Sequence, residues 1–255
     1  MKQATRRGVY LIPNLFTTGN LFSGFYGIVA VFNAEYVMAA IAILIAMVFD
    51  TLDGKAARST GTTSRFGVEY DSLADLVSFG VAPGLLIYSW ALSAYGRIGW
   101  VAAFLFVVCG ALRLARYNVQ TVSRENLDFV GLPIPAAASM IATTVLLDYH
   151  ILRLGKEVKP ILILVITYVL AFLMVSNIRY RSLKNFRLWS RKPFHVLVST
   201  VLILILFVAA PQPMLFAVFA LYVLWGIVEK PVVALAHRAW RRPDLAPEEV
   251  EEQLK

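Results

Sequence analysis

The chain has 255 residues, 59% of them hydrophobic, and a mean hydropathy of +0.69. Soluble domains are only ~45 to 50% apolar, so this composition excludes an ordinary soluble domain and predicts a polytopic membrane protein. The formal net charge is +8. Membrane topology and anionic lipid headgroups explain that charge better than nucleic-acid binding does.

Apolar segments recur along the chain at the length a membrane helix needs, which is about 20 residues. Eight segments meet this description: 12–32, 36–53, 68–92, 98–117, 133–149, 159–176, 194–210 and 213–229. The connections between them are short. We therefore predict one all-α domain, a polytopic membrane helical bundle of about eight transmembrane helices.

Lysine and arginine are distributed unevenly between the two sides that these spans define. With a cytoplasmic N-terminus, all but four of the 24 Lys and Arg residues lie on the cytoplasmic side. The exceptions are Arg97, Arg153, Lys156 and Lys159. This asymmetry satisfies the positive-inside rule. It predicts an integral protein of the cell membrane with both termini in the cytoplasm.

The first span opens with polar residues. Pro13, Asn14 and Thr17 are ordinary residues for the start of a helix. Asn14 and Thr17 are also three residues apart, so they share a helix face and could reach a ligand held next to the second span.

The second and third spans carry the most informative residues of the chain. Asp50 and Asp53 close the second span, and Asp71 and Asp75 open the third. Ionisable groups at membrane depth are costly and usually functional. At these spacings each pair lies on one helix face, and the loop 55–66 can fold the two helix ends together. We expect a single pocket, facing the cytoplasm, that holds all four carboxylates.

Four carboxylates in one pocket would repel one another unless they are neutralised. Protonation, the cations of Lys55 and Arg58, or two divalent ions could each do this. Oxygen-only ligands suit a hard ion such as Mg²⁺ or Mn²⁺, and paired hard ions are suited to phosphoryl-type displacement. Gly54 and Gly67 would let a phosphate-bearing substrate approach the backbone, while Arg58 offers a planar fork for phosphate oxygens.

Taken together, these residues resemble the signature of the CDP-alcohol phosphotransferase family. The pattern in this chain is Asp50-x2-Asp53-Gly54-x2-Ala57-Arg58-x8-Gly67-x3-Asp71-x3-Asp75, and it departs from that signature nowhere. The resemblance implies a membrane enzyme that moves a phosphatidyl group from a CDP-linked lipid to a small alcohol and releases CMP. It also implies a homodimer with a six-helix core.

The resemblance further implies a role for each residue of the motif. Asp50, Asp53, Asp71 and Asp75 would ligate two divalent cations, Mg²⁺ or Mn²⁺, and Asp75 would also be the general base. Gly54, Arg58 and Ser64 would contact the nucleotide and its diphosphate. Beside them we place Asn14, Thr17 and Gly67 in the CDP-lipid site.

The fourth and fifth spans carry the residues that bear on the acceptor alcohol. Arg113 and Arg116 could be snorkelling topology markers, or their guanidinium groups could bind the carboxylate of an incoming serine. With Asn118 they form our candidate serine site. The stretches RLARYN and GLPIPAAA resemble the serine-specific branch of the family, so we expect CDP-diacylglycerol and L-serine as substrates. Glycerol 3-phosphate and inositol phosphate remain alternative acceptors, for which the basic loop around Arg179 and Arg181 could supply a phosphate site.

The predicted organisation assigns the remaining residues to the flanks of the core. The divisions are 1–11, an N-terminal segment; 12–177, the six-span core; 178–235, a basic loop and two further spans; and 236–255, a polar tail. A divalent-cation transporter is a possibility from another class. Its carboxylates would be spread along the membrane depth, whereas these four lie at one level.

Overall fold

The computed structural model describes residues 11–60, 64–121, 129–153, 158–180 and 193–240. Within these ranges the chain is almost entirely helical, which confirms the predicted all-α architecture. The helices are α1 (Leu11–Phe32), α2 (Tyr36–Thr60), α3 (Arg65–Asp75), α4 (Ala82–Trp90), α5 (Arg97–Thr121), α6 (Ile134–Leu147), α7 (Val158–Val175), α8 (Pro193–Ala209) and α9 (Pro211–Trp240).

Within the described ranges, five helical stretches are long and apolar enough to cross a membrane. They are Pro13–Phe32, Tyr36–Ser59, Arg65–Trp90, Arg97–Gln120 and Ile134–Leu152. The other three predicted spans are helical too, but their apolar parts in the described residues are shorter: Pro160–Val175, Leu197–Ala209 and Pro211–Ile227. The chain is therefore an integral membrane protein, and the count of eight crossings stays a prediction.

Helices α1 and α2 form the most extensive helix pair of the bundle. Small residues permit this close approach, as is common between membrane helices. A methyl group added at Gly27 of α1 would already lie 3.5 Å from the Ala39 carbonyl and 3.6 Å from the Ala42 Cβ of α2. The tight pair holds the polar residues of α1 against the aspartate-bearing end of α2.

The third predicted span is not one uniform α-helix. Between α3 and α4 the chain forms a π-helical segment, Leu76–Val81, in which the Ala82 amide bonds back to the Val77 carbonyl. Pro83 follows at the start of α4, where its lack of an N–H disfavours an unbroken α-helical ladder. Asp75 is therefore the last residue of α3, directly before the change in helix type.

Helix α6 lies at the centre of the bundle and is buried along nearly its whole length. It packs against α2, α9 and the π-helical segment. Its entry is a tight turn at Gly131, where φ is +86°. Just before this turn, strand β1 (Phe129–Val130) pairs antiparallel with strand β2 (Arg179–Tyr180), a two-residue ladder that ties the entry of α6 to the exit of α7.

Candidate active site

The aspartates of the motif converge at the end of α2 that leads into α3. One carboxylate oxygen from each of Asp50, Asp53 and Asp71 lies within 4.8 Å of the others, a grouping that could hold a metal ion. Asp53 is buried, while Asp50 and Asp71 are partly buried. The helix spacing explains the arrangement, because Gly67, Asp71 and Asp75 follow one another at four-residue intervals along one face of α3.

The connection between the two helix ends is shorter than expected. We expected a loop over 55–66, whereas α2 continues to Thr60 and α3 begins at Arg65. The reason lies in local propensity, since lysine, alanine and arginine are all good helix formers. Arg58 is consequently held on a helix, with its guanidinium nitrogens about 3.4 to 3.5 Å from where a Cβ at Gly54 would stand.

Asp75 is buried, with only 8% of its surface exposed, and so is Asp53, with 5%. Its carboxyl group is within hydrogen-bonding range of Asp50. Its Oδ1 also accepts a hydrogen bond of 2.9 Å from the side-chain amide of Asn20 in α1. Asn20 is not among the site residues predicted from the sequence. A signal for it was present, because Thr17, Asn20 and Ser23 recur every third residue in an otherwise apolar span and all three are buried.

An open cleft with a volume of about 90 Å³ lies beside the aspartates, between α1, α2 and α3. Five of the six residues expected to bind the CDP-lipid line it; the sixth, Arg58, is exposed and lies over Gly54. The lining residues are Pro13, Asn14, Thr17, Asp53, Gly54, Ala57, Ser64, Gly67, Val68 and Asp71. The cleft therefore joins the predicted lipid-nucleotide residues to two of the predicted metal ligands.

Several cleft residues are fixed by local hydrogen bonds. The Thr17 hydroxyl donates to Asp53 Oδ2 at 3.2 Å. Ser64 is the N-cap of α3, and its Oγ accepts a hydrogen bond of 3.0 Å from the Gly67 amide. A Cβ at Gly67 would lie 3.1 Å from that same oxygen and 3.5 Å from Asn14 Oδ1. Any larger residue at position 67 would therefore narrow the cleft.

The two arginines of the candidate serine site have different surroundings. Arg113 of α5 is buried, with 7% of its surface exposed. It interacts electrostatically with Asp75 and Asp50. Its guanidinium carbon lies 5.8 Å from the ring centre of Tyr117. Tyr222 of α9 also lies in its electrostatic range. Its Nε is a buried donor without a hydrogen-bond partner among the described residues.

Arg116 and Asn118 are engaged elsewhere. Arg116 donates to the Asn177 side chain at 2.7 Å and to the Val175 carbonyl at 3.4 Å. Val175 is the last residue of α7, and Asn177 lies just beyond it. The Asn118 amide donates to the Ser72 hydroxyl at 2.9 Å, on the flank of α3. Of the three candidate serine-site residues, the structure thus brings only Arg113 to the carboxylate cluster.

The donor set fits a hard divalent cation. All the grouped ligands are carboxylate oxygens, as Mg²⁺ and Mn²⁺ prefer. Asp71 Oδ1 is buried and has no hydrogen-bond partner among the described residues. A buried acceptor without a partner is costly, and a cation at this position would satisfy it.

The membrane bundle and its acidic, cleft-lining motif define a class of lipid-modifying transferase, and comparison with known proteins agrees. The family model described as CDP-alcohol phosphatidyltransferase matches residues 10–175. The chain belongs to this family.

Individual relatives narrow the class further. The chain is 41% identical over 222 residues to a CDP-diacylglycerol--serine O-phosphatidyltransferase of Helicobacter pylori, covering 86% of this chain and 91% of that one. It is 36% identical to the enzyme of the same name from Bacillus subtilis, covering 68% and 92%. An archaetidylserine synthase of Methanothermobacter thermautotrophicus is 39% identical, covering 66% and 69%.

Proposed function

We propose that the protein transfers the phosphatidyl group of CDP-diacylglycerol to L-serine, giving phosphatidylserine and CMP. The observation that carries this proposal is the single cleft in which the carboxylates of Asp53 and Asp71 meet the residues expected to hold a CDP-lipid. The names of the relatives described above support serine as the acceptor.

The reaction is a direct displacement at the phosphorus that bears the diacylglycerol. The serine hydroxyl oxygen forms a bond to this phosphorus, the bond to the bridging diphosphate oxygen breaks, and CMP departs with that oxygen. A serine hydroxyl is too weakly acidic to attack unaided, so a positioned carboxylate takes its proton as the new bond forms. Asp75 is the proton acceptor in this proposal, because it is buried next to Asp50 and lies outside the three grouped carboxylates.

Asp50, Asp53, Asp71 and Asp75 would hold two divalent cations, Mg²⁺ or Mn²⁺. When bound, such ions supply charge stabilisation to the phosphoryl oxygens and to the leaving group. The protein's own contribution is to keep the ligand oxygens in place. Thr17 does so for Asp53 through the hydrogen bond from its hydroxyl.

The CDP-lipid would bind along the cleft, with its diphosphate close to Gly54 and Gly67. Neither residue has a side chain to obstruct this approach. The exposed guanidinium of Arg58, which lies over Gly54, would bind phosphate oxygens. Asn14 and Ser64 supply polar groups next to Gly67 in the lining of the cleft.

Arg113 is the proposed partner of the serine carboxylate. It is buried, it is close to Asp75, and its Nε is a donor without a partner in the described residues. Arg116 and Asn118 would act by holding α5 against α7 and α3. A single buried guanidinium suits one carboxylate. Glycerol 3-phosphate or inositol phosphate would bring a phosphate as well, and they remain the alternative acceptors for the same chemistry.

The location of the site follows from the charge asymmetry. We place the protein in the cytoplasmic membrane, with the active site and both termini on the cytoplasmic side, where most Lys and Arg residues of the sequence fall. Residues 12–177 form the catalytic core in this proposal, and the range of the family match supports that division. The working form is a homodimer, as expected from the family resemblance.

An acceptor panel tests the proposal. Purified protein receives CDP-diacylglycerol, Mg²⁺ or Mn²⁺, and either serine, glycerol 3-phosphate or inositol phosphate, and released CMP is measured. Serine should support turnover, and Asp75→Asn should abolish it without unfolding the protein. Turnover with glycerol 3-phosphate but not serine would reject the serine assignment. Cation flux into proteoliposomes without any transfer would favour a transporter.

A further inference from the structure

Asn20 is fully buried in α1, and its side-chain amide is directed at Asp75. The hydrogen bond from Asn20 Nδ2 to Asp75 Oδ1 measures 2.9 Å. Asn20 lies outside the aspartate motif, 55 residues before Asp75 in the sequence. The contact therefore links the first membrane helix to a buried carboxylate of the site.

The backbone of Asn20 is also hydrogen-bonded to the segment that follows Asp75. Its carbonyl oxygen accepts a hydrogen bond of 2.9 Å from the Ser78 hydroxyl, which belongs to the π-helical segment directly after Asp75. Gly24, one turn further along α1, has no Cβ, and an added one would lie 2.6 Å from the Ser78 Cα. This close packing sets the distance between the Asn20 amide and the Asp75 carboxylate.

The other end of the Asn20 amide is open. Asn20 Oδ1 is buried and has no hydrogen-bond partner among the described residues. An asparagine buried for structural reasons normally has both ends of its amide bonded, because an unpaired buried acceptor costs about 1 to 3 kcal/mol. The half-satisfied amide beside the aspartates therefore indicates a role in the site itself.

A donor on one carboxylate oxygen has a clear chemical effect. It fixes the plane of the carboxylate, which would otherwise rotate about its Cβ–Cγ bond. A neutral amide does this without the charge of a lysine or arginine, so the negative charge of the cluster is kept for cations.

We propose that Asn20 is a positioning residue for Asp75: its amide holds the carboxylate in the orientation that takes the proton of the acceptor hydroxyl. This inference rests on the proposed function, since it assumes that Asp75 is the proton acceptor. It adds to the site a residue of α1 that does not line the CDP-lipid cleft and whose side-chain amide bonds to Asp75.

The test compares Asn20→Ala and Asn20→Asp with Ser78→Ala. Asn20→Asp keeps the size of the side chain but replaces the donor with an acceptor. Ser78→Ala removes the neighbouring hydrogen bond between the same two helices without touching the Asp75 carboxylate, so it is the matched control. For each purified protein, the melting temperature, Mn²⁺ binding, and kcat and KM for both substrates are measured.

Both Asn20 variants should lower kcat by about 10- to 100-fold, the usual effect of losing a group that orients a ligand or base. At saturating Mn²⁺, KM for CDP-diacylglycerol should stay within about threefold, since the residues that line the cleft are unchanged. Ser78→Ala should lower the melting temperature as much as Asn20→Ala does, yet keep most of the wild-type kcat.

Three results would overturn the inference. The first is an Asn20→Ala protein with wild-type kcat, and the second is an equal loss of kcat in Ser78→Ala, which would make the role structural. The third is a rise in KM for CDP-diacylglycerol as large as the fall in kcat in both Asn20 variants, which would place Asn20 in donor binding. If the wild-type protein uses another alcohol and not serine, only the serine assignment is rejected, because the same variants then test Asn20 with that alcohol. A wild-type protein that transfers to no alcohol overturns both proposals.

Discussion

Replacing Arg113 with glutamine should impair the use of serine much more than the use of CDP-diacylglycerol. Arg113 has 7% exposure, lies close to Asp75, and carries a buried Nε without a partner in the described residues. A hydrogen bond to a charged group contributes about 1.5 to 3 kcal/mol. Loss of one such bond to the serine carboxylate corresponds to a rise of about 10- to 150-fold in KM for serine.

The assay is CMP release in detergent or proteoliposomes, with one substrate varied while the other is saturating. Arg116→Gln is the matched control, because it makes the same change three residues along the same helix. Its guanidinium contacts Asn177 and the Val175 carbonyl rather than the carboxylates. Arg116→Gln should therefore lower the melting temperature and leave KM for serine within about threefold.

Two outcomes would refute the reasoning. If both arginine variants raised KM for serine equally, the different surroundings of the two side chains would have no functional meaning. If Arg113→Gln instead raised KM for both substrates alike, the guanidinium would bind the lipid donor or support the fold, and the serine carboxylate would need another partner.

Three further predictions follow from local geometry. Ser64→Ala removes the N-cap of α3 and should destabilise the protein by about 1 kcal/mol, visible as a lower melting temperature; an unchanged value would contradict the capping role. Gly24→Ala should lower the free energy of unfolding by about 1 to 3 kcal/mol, because the added methyl group overpacks against Ser78. Gly27→Ala meets only ordinary contacts at 3.5 Å or more and should be tolerated. Equal melting temperatures for the two variants would disprove this difference. EDTA should stop CMP release and added Mg²⁺ or Mn²⁺ should restore it, since four neighbouring carboxylates need cations; a rate that persists in EDTA would refute the metal proposal.

Much of the site could be read from the sequence because the relevant geometry is local. Gly67, Asp71 and Asp75 are spaced at the period of an α-helix, so their shared face required no knowledge of the fold. The membrane class and the helical elements followed from apolar content and segment length. Helix ends were harder to predict: α2 runs seven residues past the predicted end at 53, because Lys55 and Arg58 lower hydropathy but do not stop a helix.

The contacts that depend on neighbouring helices could not be predicted in this way. Arg113 and Arg116 were expected to act together, yet residues three apart point about 60° away from each other around a helix axis. In this bundle Arg113 therefore lies near the carboxylate cluster, whereas Arg116 lies near the end of α7. The partner of Asn20 lies 55 residues away, and no local pattern specifies which carboxylate a buried amide will meet.

The π-helical segment Leu76–Val81 has a consequence for how the sequence of this protein can vary. A π-turn accommodates one more residue than an α-turn does. The residues before it, Asp71 and Asp75, face the site, while Phe79 and the start of α4 pack in the core. Deleting one residue within α3 or α4 would turn everything beyond it by about 100° relative to the aspartates. Deleting one residue from the π-turn would instead shorten it to an α-helical turn. This segment is therefore the place where the span can lose a residue while the aspartates still face the site and the start of α4 still packs in the core.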